Sequence, residues 1–291
     1  MAVTPRVLLA GAALCVVAFL AVLGLAYGVP HAQWLDVAGL QGFIGLQGPV
    51  VTPVAEWLVT LGGPLRVALL GGVLALVALA RGRWQIALLV VALVGLTSVS
   101  GQLLKALLAH PRPEGLSDGA VVAQEAFPSG HATAAMALAI ALVVVVPGRL
   151  RAAAAIAGVG LAVGVSFSLV VMGQHFPSDL AGGFLLATGW ACALLALLRL
   201  AAGRAPDRTR AERWAAPMRM AVDRVAAVGL GAALLAMSLI AAGVVLVAVL
   251  RLPDFAQYAQ DHTAFVAVAG ALGLSALVLL GGVAGLLARQ R

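Results

Sequence analysis

Charge is scarce in this chain. Only 10% of its 291 residues are Asp, Glu, Lys or Arg, where a soluble domain carries about 25%. Lysine is nearly absent, with Lys105 the single one. With 63% hydrophobic residues and a mean hydropathy of +1.09, the composition excludes an ordinary soluble domain and describes a polytopic membrane protein. Cysteine is rare as well. Cys15 and Cys192 both fall inside apolar runs, which excludes a disulfide framework and a cysteine metal pattern. There is no internal repeat and no low-complexity tail. A net charge of +7 would suit nucleic acid if it were gathered in one patch. Here the basic residues sit between apolar runs, as topology-setting arginines do, and no nucleic-acid partner is expected. The Ala-, Val- and Arg-rich composition points to a GC-rich bacterial genome.

What is abundant is apolar sequence. A helix needs roughly 20 consecutive apolar residues to cross a bilayer. Runs of about this kind lie near 7–28, 65–80, 84–108, 131–148, 152–174, 179–200, 223–250 and 264–288. The expected fold is therefore all-α, a polytopic membrane helix bundle with those eight runs as spans. Arg6 before the first run suggests a signal peptide, but the run is longer than the usual h-region of about 7–15 residues and reads as a helix. Between the first two runs, Pro30 to Pro64 holds Trp34, Asp36, Glu56 and Trp57. Val50 to Leu61 is apolar but too short to span, so an interfacial or re-entrant helix is expected, with tryptophans at the headgroup level. Gly160, Gly164, Gly281, Gly282 and Gly285 suit close helix packing.

The loop from Gly203 to Met218 mixes Pro, Asp, Arg and Glu without apolar periodicity, and it is the only internal boundary. The expected division is a six-helix core over 1–202, a basic cytoplasmic linker over 203–222 and a two-helix membrane extension over 223–291. With the N-terminus in the cytoplasm, fourteen arginines fall on the inner side, and only Arg66, Lys105, Arg112 and Arg251 on the outer. Eight of the eleven acidic residues lie outside. The positive-inside rule then places both termini in the cytoplasm. The location expected is the cell (plasma or inner) membrane.

The exceptions to that bias are informative. Lys105 ends the third run, where a lysine can simply snorkel to the interface, yet an outward cation works against the charge count. Pro128-Ser129-Gly130-His131 opens the fourth. A helix start offers unpaired N–H groups and a dipole favourable to an anion; Ser129 can cap it or donate its hydroxyl, and Gly130 permits close approach to the backbone. Ordinary capping would explain the serine and glycine, but it leaves the His131 imidazole without a use. His175 closes the fifth run and Asp179 begins the sixth. As a bland pair they are a histidine at a helix C-terminus and a helix cap. As a functional pair, Asp179 accepts the Nδ1 proton of His175 and leaves Nε2 as a free nucleophile. Two histidines, one carboxylate, two cations and a helix start on one face describe phosphoryl transfer without a metal. The cations beside His131 and His175 would repel a divalent ion, and no cofactor is called for.

This arrangement resembles the type 2 phosphatidic acid phosphatase superfamily, whose motifs are Lys-x6-Arg-Pro, Pro-Ser-Gly-His and Ser-Arg-x5-His-x3-Asp. Lys105 to Pro113 matches the first in full and Pro128 to His131 the second; Ser168 to Asp179 matches the third except at one position. The resemblance covers about residues 30–202. It implies a six-helix core, a covalent phosphohistidine on His175, Asp179 as its orienter and His131 as acid to the leaving group. Lys105, Arg112, Ser129 and the Gly130 N–H would bind the phosphate oxygens. The third-motif arginine, a phosphate ligand in the family, is Leu169 here. Loss of one donor aimed at developing charge costs about 3–4 kcal/mol, or 10²–10³ in rate, where it has been measured in another enzyme. Since nucleophile, acid and orienter all remain, an impaired or re-wired enzyme is expected before a dead one. Arg66 and Gln174 are the candidates to supply the missing contact.

The expected function is an integral membrane lipid phosphatase acting on a lipid phosphate or diphosphate, of isoprenoid or phosphatidate type, at the outer membrane face. Its expected partners are the lipid phosphate and the surrounding membrane lipids; the sequence is silent on oligomeric state. The alternative is a weakened or inactive relative that binds a phospholipid headgroup without turnover. A transporter would suit eight spans, but no ionisable residue falls near a midplane and no repeat symmetry is present. His110, Glu114, Asp118 and Glu125 read as loop residues, and His31 and His262 have no assignable partners.

Overall fold

The structure is a computed structural model and describes residues 4–111, 120, 122–202 and 252–288. Those residues form ten α-helices and no strand. In chain order they are α1 (Pro5–Gly28), α2 (Pro30–Ile44), α3 (Val51–Leu61), α4 (Pro64–Ala80), α5 (Trp84–Leu107), α6 (Gly130–Val145), α7 (Arg151–Val171), α8 (Pro177–Ala202), α9 (Leu252–Asp261) and α10 (Thr263–Ala288). Proline opens α1, α2 and α4, where its fixed φ fits and its missing N–H is not needed.

Five helices are long and apolar enough to cross a membrane: α1, α5, α7 with its short 3₁₀ lead-in, α8 and α10. α3 and α4, bent by 57° at their junction, form a sixth crossing or a re-entrant element; α3 is the short apolar segment expected to be interfacial or re-entrant. The protein is thus a polytopic membrane helix bundle. The run at 131–148 becomes α6, only 16 residues long. At 1.5 Å per residue it measures about 24 Å, less than the ~30 Å of bilayer hydrocarbon. It is buried along most of its length, from Ala132 to Val145, because α3, α4, α5, α7, α8 and α10 all pack on it. The linker 203–222 and the run at 223–250 lie outside the described residues.

α2 is the helix the sequence did not announce. Its Leu40 and Phe43 are fully enclosed, and α10 supplies much of the enclosure. Val268 and Phe265 of α10 press on the backbone at Gly39 and Gly42. α10 also packs on α6, α7 and α8, and Leu272, Ala276 and Leu280 join the same apolar core. Of the glycines expected to pack closely, Gly164 meets Leu58, with 3.8 Å between a Cβ placed there and the leucine side chain, and a tighter approach occurs elsewhere. A Cβ on Gly158 would lie 2.9 Å from that of Ala139, whereas one on Gly281, Gly282 or Gly285 would meet nothing within 4 Å among the described residues.

The arginines at one end of the bundle have structural partners. Arg81 and Arg83 both donate to the Val145 carbonyl, Arg83 at 2.9 Å, and Arg151 donates to Leu287 O at 2.6 Å. These are orphan carbonyls of helix C-termini, where positive charge is favoured. The ends of α4, α6 and α10 and the starts of α5 and α7 therefore share one face. The end of α5, the start of α6 and the α7–α8 turn are carried to the other face.

Candidate active site

Three segments meet at that second face. At the start of α6, Ser129 adopts extended backbone geometry and its Oγ accepts from Ala132 N at 3.4 Å. Ser129 is fully buried, and its own N–H donates to Asp179 O at 2.9 Å, joining the start of α6 to that of α8. Gly183 lets the two helices touch. A Cβ there would lie 2.8 Å from Thr133 Oγ1 and 2.9 Å from Ser129 O. One turn away the surroundings change, for a Cβ on Gly130 would meet nothing within 4 Å.

The α7–α8 turn places the second histidine. Gly173 has φ 69°, the left-handed conformation open to glycine at little cost. Gly173 N donates to Val170 O at 2.9 Å and Gln174 N to Leu169 O at 3.0 Å, the pair of bonds that closes a Schellman cap. The chain then turns into His175, buried, and Asp179, fully buried. Asp179 Oδ2 accepts from Phe176 N at 2.9 Å and lies 3.4 Å from His175 Nδ1. The backbone bond fixes the carboxylate, and the fixed carboxylate favours the Nδ1–H tautomer, with the Nε2 lone pair free.

The third segment is the end of α5. Tyr27 OH donates to Leu108 O at 2.9 Å and its ring stacks on His110 at 4.6 Å, pinning this end of α5 to α1. Lys105, half-buried, lines a cavity of about 270 Å³ together with Gly62, Gly130 and His131. Thr97, Ser98, Gln102 and Thr133 line it further along. Lys105 is within Coulombic range of Asp179, Glu125 and His131, and His131 within range of His175. A cation, two imidazoles and a carboxylate at one helix start form an environment in which an anion would be stabilised. Among the described residues no group of three His, Cys, Asp or Glu is placed to hold a metal.

Of the site residues expected from sequence, His131, His175, Asp179, Lys105, Ser129 and Gly130 come to this one end of the bundle. Arg112, with Pro113, Glu114 and Asp118, lies outside the described residues. Leu169 is fully buried in the apolar core and does not line the cavity. Arg66 and Gln174, the candidates for the missing contact, are both exposed, and neither lines the cavity, although Pro64 and Val67 on either side of Arg66 do. His31 stacks on Trp34 and His262 on Tyr258. Two residues to which the sequence assigns no site role, Asp36 and Gln47, bond to the two ends of the α7–α8 turn at 3.0 and 2.7 Å.

Residues 84–202 match the PAP2 superfamily, a stretch that begins with α5, ends with α8 and spans the three motif segments, the third with Leu169 in place of its arginine. The family resemblance read from those motifs is met in this segment. The chain is also similar to a crystal structure of a transmembrane PAP2-type phosphatidylglycerolphosphate phosphatase from Bacillus subtilis, with a TM-score of 0.55 and 24% sequence identity, over 68% of this chain and 98% of that one. That likeness is one of fold. Comparison with curated proteins returns no match.

Proposed function

We propose that the protein is a membrane lipid phosphatase that hydrolyses a phosphomonoester or diphosphate of a lipid through a phosphohistidine. The observation that carries this reading is the hydrogen bond from Ser129 N to Asp179 O, which sets the His175–Asp179 pair against the helix start that presents His131 and faces Lys105. His175 Nε2 attacks phosphorus in line and the bond to the leaving oxygen breaks. His131, protonated, gives its proton to that oxygen and the lipid alcohol, or the lipid monophosphate from a diphosphate, departs. Neutral His131 then takes a proton from water, whose oxygen attacks phosphorus, breaks the N–P bond and releases inorganic phosphate. Lys105, the Gly130 N–H, Ser129 and Arg112 hold the oxygens. The presence of Lys105 beside His131 on the cavity wall favours charge stabilisation by the chain's own cations over a divalent ion. The face bearing the site is the arginine-poor one, which supports an outward site, cytoplasmic termini and a place in the cell membrane. The helices up to α8 are the catalytic unit, with 203–222 as linker and 223–291 as extension.

The test is phosphate release by the purified full chain from phosphatidate, phosphatidylglycerolphosphate and an isoprenoid diphosphate, with His175→Ala in parallel. Release that is absent from His175→Ala supports the proposal. Release that survives in full overturns it.

Leu169 supports one other reading, a relative that binds phospholipid headgroups without turnover, because a fully buried leucine stands where the family has a phosphate-binding arginine. Retained lipid binding without phosphate release, not rescued by Leu169→Arg, would favour it.

A further inference from the structure

We infer, taking the phosphatase reading as given, that Asp36 and Gln47 are positioning residues for the His175–Asp179 pair, and that α10 braces them. The turn that carries His175 is short, running from Met172 to Phe176, and the segment around α2 holds it at both ends. At its entry Gln47 Nε2 donates at 2.7 Å to the carbonyl of Val171, the last residue of α7. At its exit Asp36 Oδ1 accepts at 3.0 Å from the N–H of Ser178, in the first turn of α8 and next to Asp179.

Each bond meets a need of the partner helix. The last carbonyls of α7 and the first N–H groups of α8 have no intrahelical partner. A carboxylate at a helix N-terminus is favoured by the dipole, and such a group buried in a membrane protein is otherwise unfavourable enough to signal a role. Asp36 is 8% exposed. Its placement fixes where α8 begins relative to α2. It thereby fixes where Asp179 Oδ2 meets His175 Nδ1.

α2 is held in turn from behind. Tyr258 of α9 donates its hydroxyl to Gly42 O, and α10 seats Phe265 and Val268 against the α2 backbone at Gly42 and Gly39. The Phe43 ring lies 4.8 Å from that of Phe265 and 5.0 Å from that of Phe167 in α7. The C-terminal helices therefore reach the catalytic turn through one intermediate helix. That gives α9 and α10 a task in the reaction without placing any of their residues on the substrate.

The test uses the full chain in detergent micelles with phosphatidate as probe, comparing wild type, Asp36→Ala, Asp36→Asn and Gln47→Met, with His175→Ala as the blank. A second readout is the ¹⁵N spectrum of histidine-labelled protein, in which His175→Ala assigns the His175 signals. Loss of one backbone bond should lower kcat about tenfold in Asp36→Ala and in Gln47→Met while KM stays within about twofold. Asp36→Asn, whose amide oxygen still accepts from Ser178 N, should recover most of the rate. His175 should show the Nδ1–H tautomer in wild type and a mixture in Asp36→Ala. Wild-type kcat in both Asp36→Ala and Gln47→Met, a rise in KM alone, Asp36→Asn no better than Asp36→Ala, or an unchanged tautomer would each overturn the inference. Should Asp36→Ala not fold, Gln47→Met carries the test from the other end of the turn. A wild type that releases no more phosphate than His175→Ala would sink the phosphatase reading instead, and the tautomer would then decide the positioning by itself.

Discussion

Ser129 donates its backbone N–H to the carbonyl of Asp179 at 2.9 Å, so the residue that caps α6 and the residue whose carboxylate lies 3.4 Å from His175 Nδ1 are joined directly. Fifty positions of sequence separate them. The bond couples the proposed leaving-group acid, His131, to the proposed nucleophile, His175, because each stands at the first turn of, or just before, one of these two helices.

In the first step of the proposed mechanism, His131 has work to do only when the leaving group needs a proton. His131→Ala should lower kcat on a lipid phosphate by about 10²–10⁴. On p-nitrophenyl phosphate, whose leaving group departs as an anion, the loss in the first-turnover release of nitrophenolate should be much smaller, while the later attack of water still draws on His131 as base. An equal loss in first-turnover leaving-group release on the two substrates would remove His131 from the acid role.

The turn geometry depends on Gly173. An L-residue in the left-handed region is disfavoured by about 1–2 kcal/mol, so Gly173→Ala should lower the unfolding temperature and displace His175. Gly173→Asn should be milder, since Asn tolerates this conformation better. Thermal unfolding in detergent and kcat on the same samples check both; an Ala variant as stable and active as wild type would contradict the account.

The proposed mechanism gives charge stabilisation in this site to the chain's own cations. Lys105→Ala should therefore lower kcat/KM by about 10²–10³, and prior dialysis against a chelator should leave wild-type turnover unchanged. Activity abolished by the chelator and restored by a divalent ion would reverse the assignment.

Sidedness is checked with single cysteines. Gln124 and Arg149 are both exposed and belong to opposite ends of the bundle, whereas the native Cys15 and Cys192 are buried. In intact cells a membrane-impermeant maleimide should label Gln124→Cys at once and Arg149→Cys only after permeabilisation. The reverse pattern would turn the site inward.

Much of the bundle is legible in the sequence because apolar runs and arginines alternate. Arg81, Arg83, Arg149 and Arg151 mark the same end by charge count that the hydrogen bonds to Val145 and Leu287 mark in space. The motif histidines are legible too, since each stands where a run begins or ends. α2 was not, because what makes it a helix is the surface of α10 more than two hundred residues further on, and no local apolar run announces it. The contacts of Asp36 and Gln47 are hidden for the same reason. Their partners lie 142 and 124 positions away, and nothing near Asp36 in sequence distinguishes a buried carboxylate from a solvated one. Leu169 was visible as a departure from the motif, but its burial in the core is a fact of packing. Arg66 and Gln174, the candidates to replace the missing arginine, are exposed, and whether either reaches a bound phosphate is likewise set by side-chain packing that the motif does not encode.

The most direct test of the central claim is a rapid quench of the purified protein with ³²P-labelled phosphatidate. The account predicts protein-bound label that survives alkali, is lost in acid and is missing from His175→Ala. Label of that stability retained in His175→Ala, or full turnover by that variant, would contradict it.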